Sequence, residues 1–193
     1  YERDFIQTTK LCKMITDQQI KMIFLSSGGT VYGNQEIQPI TEDALPRPIN
    51  HYGNVKLCIE NTIRTFNYQA HTKILIARIS NPYGPGQDFN KGVGFIDAAI
   101  KKTIRSEKIE IWGDGNNVRD YIYIDDVCRM LISLFYYQED YDTFNISSNT
   151  GTSQRDVIRM LKAMQLAPQV EYLPARSVDA KKIILNNERI MSI

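Results

Sequence analysis

Tyr52-Gly53-Asn54-Val55-Lys56 sets a phenol and an ammonium four residues apart. On a helix both lie on one face, so the positive charge can favour the phenolate. Tyrosine titrates near 10 in water, and bringing it toward 7, where it can act as a base, takes about 3 units, or about 4 kcal/mol. A neighbouring lysine and a cationic cofactor ring are groups that could supply this. Spacing alone does not decide the matter. Among 11 tyrosines one such match arises by chance, and an exposed aromatic beside a solvated lysine reads the same way.

Two other segments carry groups suited to a ligand. Ser26-Ser27-Gly28-Gly29-Thr30-Val31-Tyr32-Gly33 combines hydroxyls with glycines directly after an apolar run, and Ser80-Asn81-Pro82-Tyr83-Gly84-Pro85-Gly86 follows a second one. The elements that would position them can be read from periodicity. Residues 22–25 form a short buried strand ending in a small-residue turn. Pro39, Pro46 and Pro48 punctuate a polar loop, after which Val55, Ile59, Ile63 and Phe66 recur at helical spacing and predict a helix over 51–68. Residues 73–79 predict a second buried strand, stopped by the proline and glycine segment. Strand and helix units joined by short polar loops imply a parallel α/β sheet covered on both faces, with ligands beyond the carboxyl ends of the strands. Both segments occupy that position. Further along, the pattern predicts helices over 95–105, 125–137 and 153–164, and strands over 109–112, 143–146 and 170–173.

Composition narrows the function classes. The chain has 193 residues, 42% hydrophobic, with 23 basic and 22 acidic residues and no block of like charge. Nucleic acid and anionic membrane are therefore not expected partners. No apolar run approaches the length of a membrane span, and residues 1–20 lack the pattern of a signal peptide. Cys12, Cys58 and Cys128 are odd in number and widely spaced, as expected for reduced thiols in the cytoplasm; with only His51 and His71, no metal site is expected. No Gly-x-Gly-x-x-Gly follows a predicted strand, so the chain is expected to start downstream of a dinucleotide fingerprint and not to hold a dinucleotide well alone.

In order and spacing, the segment 26–33, Tyr52-x-x-x-Lys56, Arg78-Ile79-Ser80-Asn81-Pro82-Tyr83-Gly84-Pro85, Trp112-Gly113-Asp114-Gly115 and Val118-Arg119-Asp120-Tyr121-Ile122-Tyr123-Ile124-Asp125-Asp126-Val127 resemble the NAD-dependent nucleotide-sugar epimerases of the extended short-chain dehydrogenase/reductase family, related to UDP-galactose 4-epimerase. The resemblance covers nearly the whole chain, and family members extend further at both ends. It implies the C-terminal part of a Rossmann-type doubly wound parallel sheet plus a smaller mixed α/β substrate-binding lobe. Residues 1–90 would be the second half of the NAD-binding domain and 91–193 mainly the nucleotide-sugar region, with about 119–149 packing back on the first.

The implied activity is epimerisation at C4 of a UDP-hexose with bound NAD, in a cytoplasmic homodimer serving carbohydrate metabolism and polysaccharide biosynthesis. Tyr52 would take the proton from the sugar hydroxyl, while Lys56 would hold the nicotinamide ribose and lower the tyrosine pKa. Ser26, Ser27 and Ser80 would line the cofactor. Asn81, Val93, Glu110, Ile111, Trp112, Arg119, Arg176 and Asp179 would line the nucleotide sugar, with Arg119 on the phosphates. Relatives usually carry serine or threonine where Gly28 stands. By strand alternation Ser26 and Thr30 share a face with Gly28, and Thr30 is the expected substitute donor. Gly29-Thr30 also replaces the acidic pair that dehydratases use for elimination. A reductase of the same family, or a non-catalytic fragment, is the competing reading.

Overall fold

The structure, a computed structural model, describes residues 2–18, 20–87, 94–175 and 180–193. Helix α1 (Glu2–Gln18) leads into strand β1 (Met22–Ser27), a single helical turn α2 (Gly28–Val31) and the long helix α3 (His51–Ala70). Strands β2 (Ile74–Ile79) and β3 (Asn81–Tyr83) follow, then helix α4 (Phe95–Ile104) and strands β4 (Lys108–Trp112) and β5 (Val118–Tyr123). The rest of the chain forms α5 (Ile124–Tyr136), β6 (Thr143–Ile146), β7 (Gly151–Ser153), α6 (Gln154–Ala163), β8 (Gln169–Leu173), β9 (Lys182–Ile183) and α7 (Glu188–Met191).

The main sheet is parallel, in the order β1-β2-β6, with Met22 opposite Ile74 and Ile76 opposite Thr143. Strand β2 explains its own composition. Ile74 and Ile76 face the side covered by α1 and α3, where they join Cys12, Ile15, Phe24, Ile59 and Ile63. Leu75 and Ala77 face the other side, where α5 supplies Val127 and Leu134 beside Phe144 and Ile146 of β6. A strand buried on both faces needs apolar residues at every position, not every second one. Full burial of each such side chain contributes about 1.5–3 kcal/mol.

A second layer grows from the carboxyl end of β2. Strand β3 pairs in parallel with β5, which also carries β7 antiparallel and β9 parallel. A smaller lobe pairs β4 with β8 and packs them on α4 and α6 around Ala99, Ile109, Ile111, Ile158 and Leu161. Helix α6 starts in a full capping box: the Ser153 hydroxyl accepts from the Asp156 N–H at 3.1 Å, and the Ser153 N–H donates to the Asp156 carboxylate at 3.1 Å. The architecture is α/β with parallel sheets, as expected. Among the described residues no helix is long and apolar enough to cross a membrane.

One local expectation is corrected here. Strand β1 stops at Ser27, and residues 28–31 wind into a helical turn. Period-two alternation therefore ends before Gly28, and the argument that set Thr30 on its face does not hold. The glycines at 28 and 29 release the strand, and their backbone turns inward.

Candidate active site

Helix α3 is placed by its first turn. Asn50 caps it, its side-chain carbonyl accepting from the Gly53 N–H at 2.8 Å. A Cβ on Gly53 would lie 2.5 Å from the Thr30 carbonyl oxygen, so only glycine lets α3 approach α2 this closely. Tyr52, next to that contact, is thereby registered on the turn that ends β1. Its side chain is 44% exposed. Lys56 lies one turn on, its ammonium 5.7 Å from the centre of the Tyr52 ring and 4.8 Å from that of Phe24, and donates to the Leu25 carbonyl at 3.1 Å. Burial holds the Lys56 ammonium below the usual lysine value, with the carboxylates of Asp4 and Glu60 pulling the other way. The structure thus brings Tyr52 and Lys56 together, in an open cleft that Arg3, Asp4 and Gln7 of α1 also line.

Beneath this pair lies a charged cluster that the motifs do not announce. Glu60 and Arg78 are 0% and 1% exposed, and the Arg78 guanidinium forks onto the Glu60 carboxylate at 2.7 and 3.1 Å. The Ser26 hydroxyl donates to the same carboxylate at 2.5 Å. Arg78 also lies over the Tyr32 ring at 4.7 Å, and the Tyr32 hydroxyl donates to Asn145 at 2.7 Å. Burial pushes the Tyr32 phenol up to about 12, against the opposing charge of Arg78. Ser26 is therefore committed to the interior, and the cofactor contact expected of it does not rest on its side chain. The signal that could have found this cluster is Arg78 itself. An arginine inside Ile74-Leu75-Ile76-Ala77-Arg78-Ile79 must have a buried carboxylate partner.

A second hub is Asp120, fully buried on β5. Its carboxylate accepts from the Ser80 hydroxyl at 3.2 Å, the Ser148 N–H and hydroxyl at 2.9 and 2.8 Å, and the Leu185 N–H at 3.2 Å. Desolvation raises its pKa, and these donors hold part of the rise back. The Ser80 hydroxyl is thus also spent inside the protein. Asp120 ties four chain segments together where β2 passes into β3.

Where the substrate-lining residues were expected there is a cavity of about 230 Å³ lined by Asn81, Phe95, Trp112, Asn117, Arg119 and Gln154, among others. Asn81 donates to the Asp120 carbonyl at 2.8 Å and forms part of its wall; a Cβ on Gly29 would lie 3.8 Å from the Asn81 carboxamide. Gly29 therefore lies beside Asn81, and the neighbouring residues Asn81, Gly29 and Thr30 join the wall of the cavity to the helix bearing Tyr52. Of the expected residues, Asn81, Trp112 and Arg119 meet in this cavity. Ile111 does not: it is fully buried in the lobe core, because alternation along β4 turns it away from Trp112. Glu110 sits on the exposed side of β4 opposite Glu171 and does not line the cavity. Val93, Arg176 and Asp179 lie outside the described residues. Gln154 was not anticipated.

The Thr30 hydroxyl donates to the Ser27 carbonyl at 3.4 Å, a long bond that leaves it poorly held. At Gly28 a Cβ would run into a terminal methyl of the fully buried Leu185 and lie 3.1 Å from the Arg78 carbonyl. A side chain at position 28 therefore requires Leu185 to move.

Residues 1–147 match the NAD dependent epimerase/dehydratase family. The chain is 32% identical over 173 residues to the dTDP-4-dehydro-6-deoxyglucose reductase of Escherichia coli, covering 89% of this chain and 54% of the relative. It is similar to the crystal structure of UDP-glucose 4-epimerase with UDP-glucose from Thermotoga maritima, at 31% identity and a TM-score of 0.90, covering 96% of this chain and 60% of the other. It also resembles UDP-glucuronic acid 4-epimerase from Bacillus cereus in complex with UDP-glucuronic acid and NAD, at 25% identity and a TM-score of 0.88, covering 97% and 60%. The chain spans about half the length of the curated relatives it matches. The residues present fit the nicotinamide end of NAD, since Tyr52 and Lys56 open onto one cleft and Gly29 carries no side chain to obstruct the adjoining turn. The Rossmann-like α/β fold and the match over residues 1–147 agree, and the chain belongs to the NAD dependent epimerase/dehydratase family.

Proposed function

We propose that the full-length protein epimerises a UDP-hexose at C4, using NAD that is returned unchanged. The observation that carries this reading is the run of neighbouring residues from the Arg119 and Asn81 cavity, by way of Gly29 and Thr30, to the helix that holds the Tyr52 and Lys56 pair. Bound NAD supplies the acceptor for a hydride from the sugar carbon. Tyr52 accepts the hydroxyl proton, and the Lys56 ammonium beside it favours the phenolate. Lys56 and Tyr52 would hold the nicotinamide ribose, and the backbone at Ser27 would border it. Arg119 grips the diphosphate as a permanent cation, and Asn81 orients it. Thr30, loosely held and next to the α3 contact, is the donor we assign to the reacting oxygen. The assembly we propose is a cytoplasmic homodimer formed through helices that include α3.

Incubating the full-length protein with UDP-glucose, UDP-galactose and their N-acetyl forms, and resolving the products, tests this reading. The expected result is interconversion of one C4 pair without net change in NAD absorbance. A second reading, reduction of a 4-keto sugar, is favoured by the likeness to the Escherichia coli reductase. It predicts stoichiometric consumption of reduced nicotinamide with a dTDP-4-keto-6-deoxyhexose and no interconversion of UDP-hexoses.

A further inference from the structure

Two carboxylates act on the Lys56 ammonium, and they are placed very differently. Glu60 lies one turn further along α3, but it is buried and taken up by Ser26, Arg64 and Arg78. Asp4 comes from another element. It stands exposed in the first turn of α1 and lines the same open cleft as Tyr52 and Lys56. Desolvation presses Lys56 toward its neutral form, and of the two charges that oppose it Asp4 acts more strongly than Glu60. Around Lys56 also stand Arg3 of α1 and Tyr52 of its own helix, while β1 offers only the uncharged Phe24 ring and Leu25 carbonyl.

A phenol serves as a base beside a lysine only over the pH range in which the phenol has lost its proton and the lysine has kept its own. On the reading above, Lys56 is pressed from two sides, by desolvation and by a cationic nicotinamide ring when the cofactor is bound. A carboxylate across the cleft supports the ammonium against both. The same negative charge also makes the Tyr52 proton harder to remove. We infer that Asp4 is a positioning residue for this pair: its carboxylate keeps Lys56 charged and sets the pH window in which Tyr52 serves as base. It acts through Lys56, not on the sugar. The inference rests on the roles proposed for Tyr52 and Lys56 and is independent of which hexose is bound.

Asp4→Asn in the full-length protein tests this, and because Asp4 is exposed the change should leave the fold intact. Without the negative charge, Tyr52 and Lys56 both lose their protons more easily. The acid limb of the kcat/KM profile, from Tyr52, and the alkaline limb, from Lys56, should therefore move to lower pH by about half a unit, the scale of one exposed charge across a wet cleft. The shift should vanish near about 1 M salt, where the screening length is about 3 Å. Asp4→Glu keeps the charge and should leave both limbs in place. With no substrate present, the ultraviolet phenolate signal that Tyr52→Phe deletes should titrate at lower pH in the Asp4→Asn protein than in the parent. Limbs and phenolate titration that stay where they were, or a shift that survives high salt, overturn the assignment. A merely structural Asp4 would lower the rate at every pH and move neither limb. If the phenolate titration shifts as expected while no UDP-hexose is turned over, Asp4 keeps its role and the epimerase reading falls.

Discussion

Tyr52 and Glu60 sit two turns apart on the same side of α3, and they could hardly be treated more differently. Glu60 is wholly buried, with its carboxylate taken up by Ser26, Arg78 and the partly exposed Arg64. Tyr52 is almost half exposed and opens onto a cleft. The middle of the helix is locked to the sheet and its first turn presents Tyr52. The locked middle reaches both strands whose tips lead to the candidate site, because Ser26 belongs to β1 and Arg78 to β2. Presenting a reactive group precisely enough to matter requires rigidity, and here the rigidity comes from a polar lock, not from an apolar stripe alone.

The comparison breaks first at Tyr52. Tyr52→Phe in the full-length protein should lower kcat by three orders of magnitude or more while UDP-sugar affinity stays within a few fold, since the phenol acts mainly in the transition state. Steady-state kinetics and calorimetry check both halves, and near-normal kcat would remove Tyr52 from the chemistry.

Glu60→Gln tests the locked middle of the helix. Removing the charge leaves the Arg78 guanidinium buried without compensation, and the expected loss is about 3–5 kcal/mol of stability by denaturant titration. Glu60→Leu combined with Arg78→Met should be nearer the parent than either single change, because no lone charge remains. Strict additivity of the two would show that the pair is not coupled.

Arg119→Ala should cost about 2–5 kcal/mol in the binding of UDP itself, as when one partner of a desolvated charge pair is truncated. Unchanged UDP affinity would move the diphosphate elsewhere. The smallest effect is expected at Thr30. Thr30→Val should slow kcat by roughly 10- to 100-fold, at or below the lower end of the range for a positioned proton donor or acceptor, and Thr30→Ser should recover most of it. A lowered melting temperature with kcat intact would make the hydroxyl structural, which its bond to Ser27 also allows.

Much of the layout could be read from residue order. Strands that lie in the middle of the sheet are uniformly apolar, and α3 and α5 show a helical stripe, so β2, β6 and both helices announce themselves. Helix α1 does not, because only Cys12 and Ile15 of its 17 residues are buried while its apolar Phe5, Ile6, Leu11 and Met14 lie exposed. Strand β5 hides for another reason. Asp120 within Val118-Arg119-Asp120-Tyr121 reads as solvated, yet it is fully buried and satisfied by donors from segments 28 to 65 positions away. Long-range satisfaction of a buried charge leaves no local trace. The same limit separates Trp112, which lines the cavity, from Ile111 one position earlier, which lies in the lobe core. A motif names a stretch, and only the direction of each side chain decides which residue of it meets the ligand. Thr30 shows the reverse failure, where a sound alternation rule was carried one step past the point at which the strand had already turned.

Leu185 lies far along the chain from Gly28, yet its methyl occupies the space a side chain at 28 would need. The two positions therefore cannot change independently. Gly28→Ser alone must push a packed leucine out of a core that also holds Val31, Tyr32 and Ile183. Leu185→Ala alone opens a void under the turn that carries Thr30. The accessible order of change runs through the smaller residue at 185 first, then the hydroxyl at 28. A lineage or an engineer seeking a serine at 28 would find the direct step obstructed and the way through residue 185 open, with the history of one residue written in another.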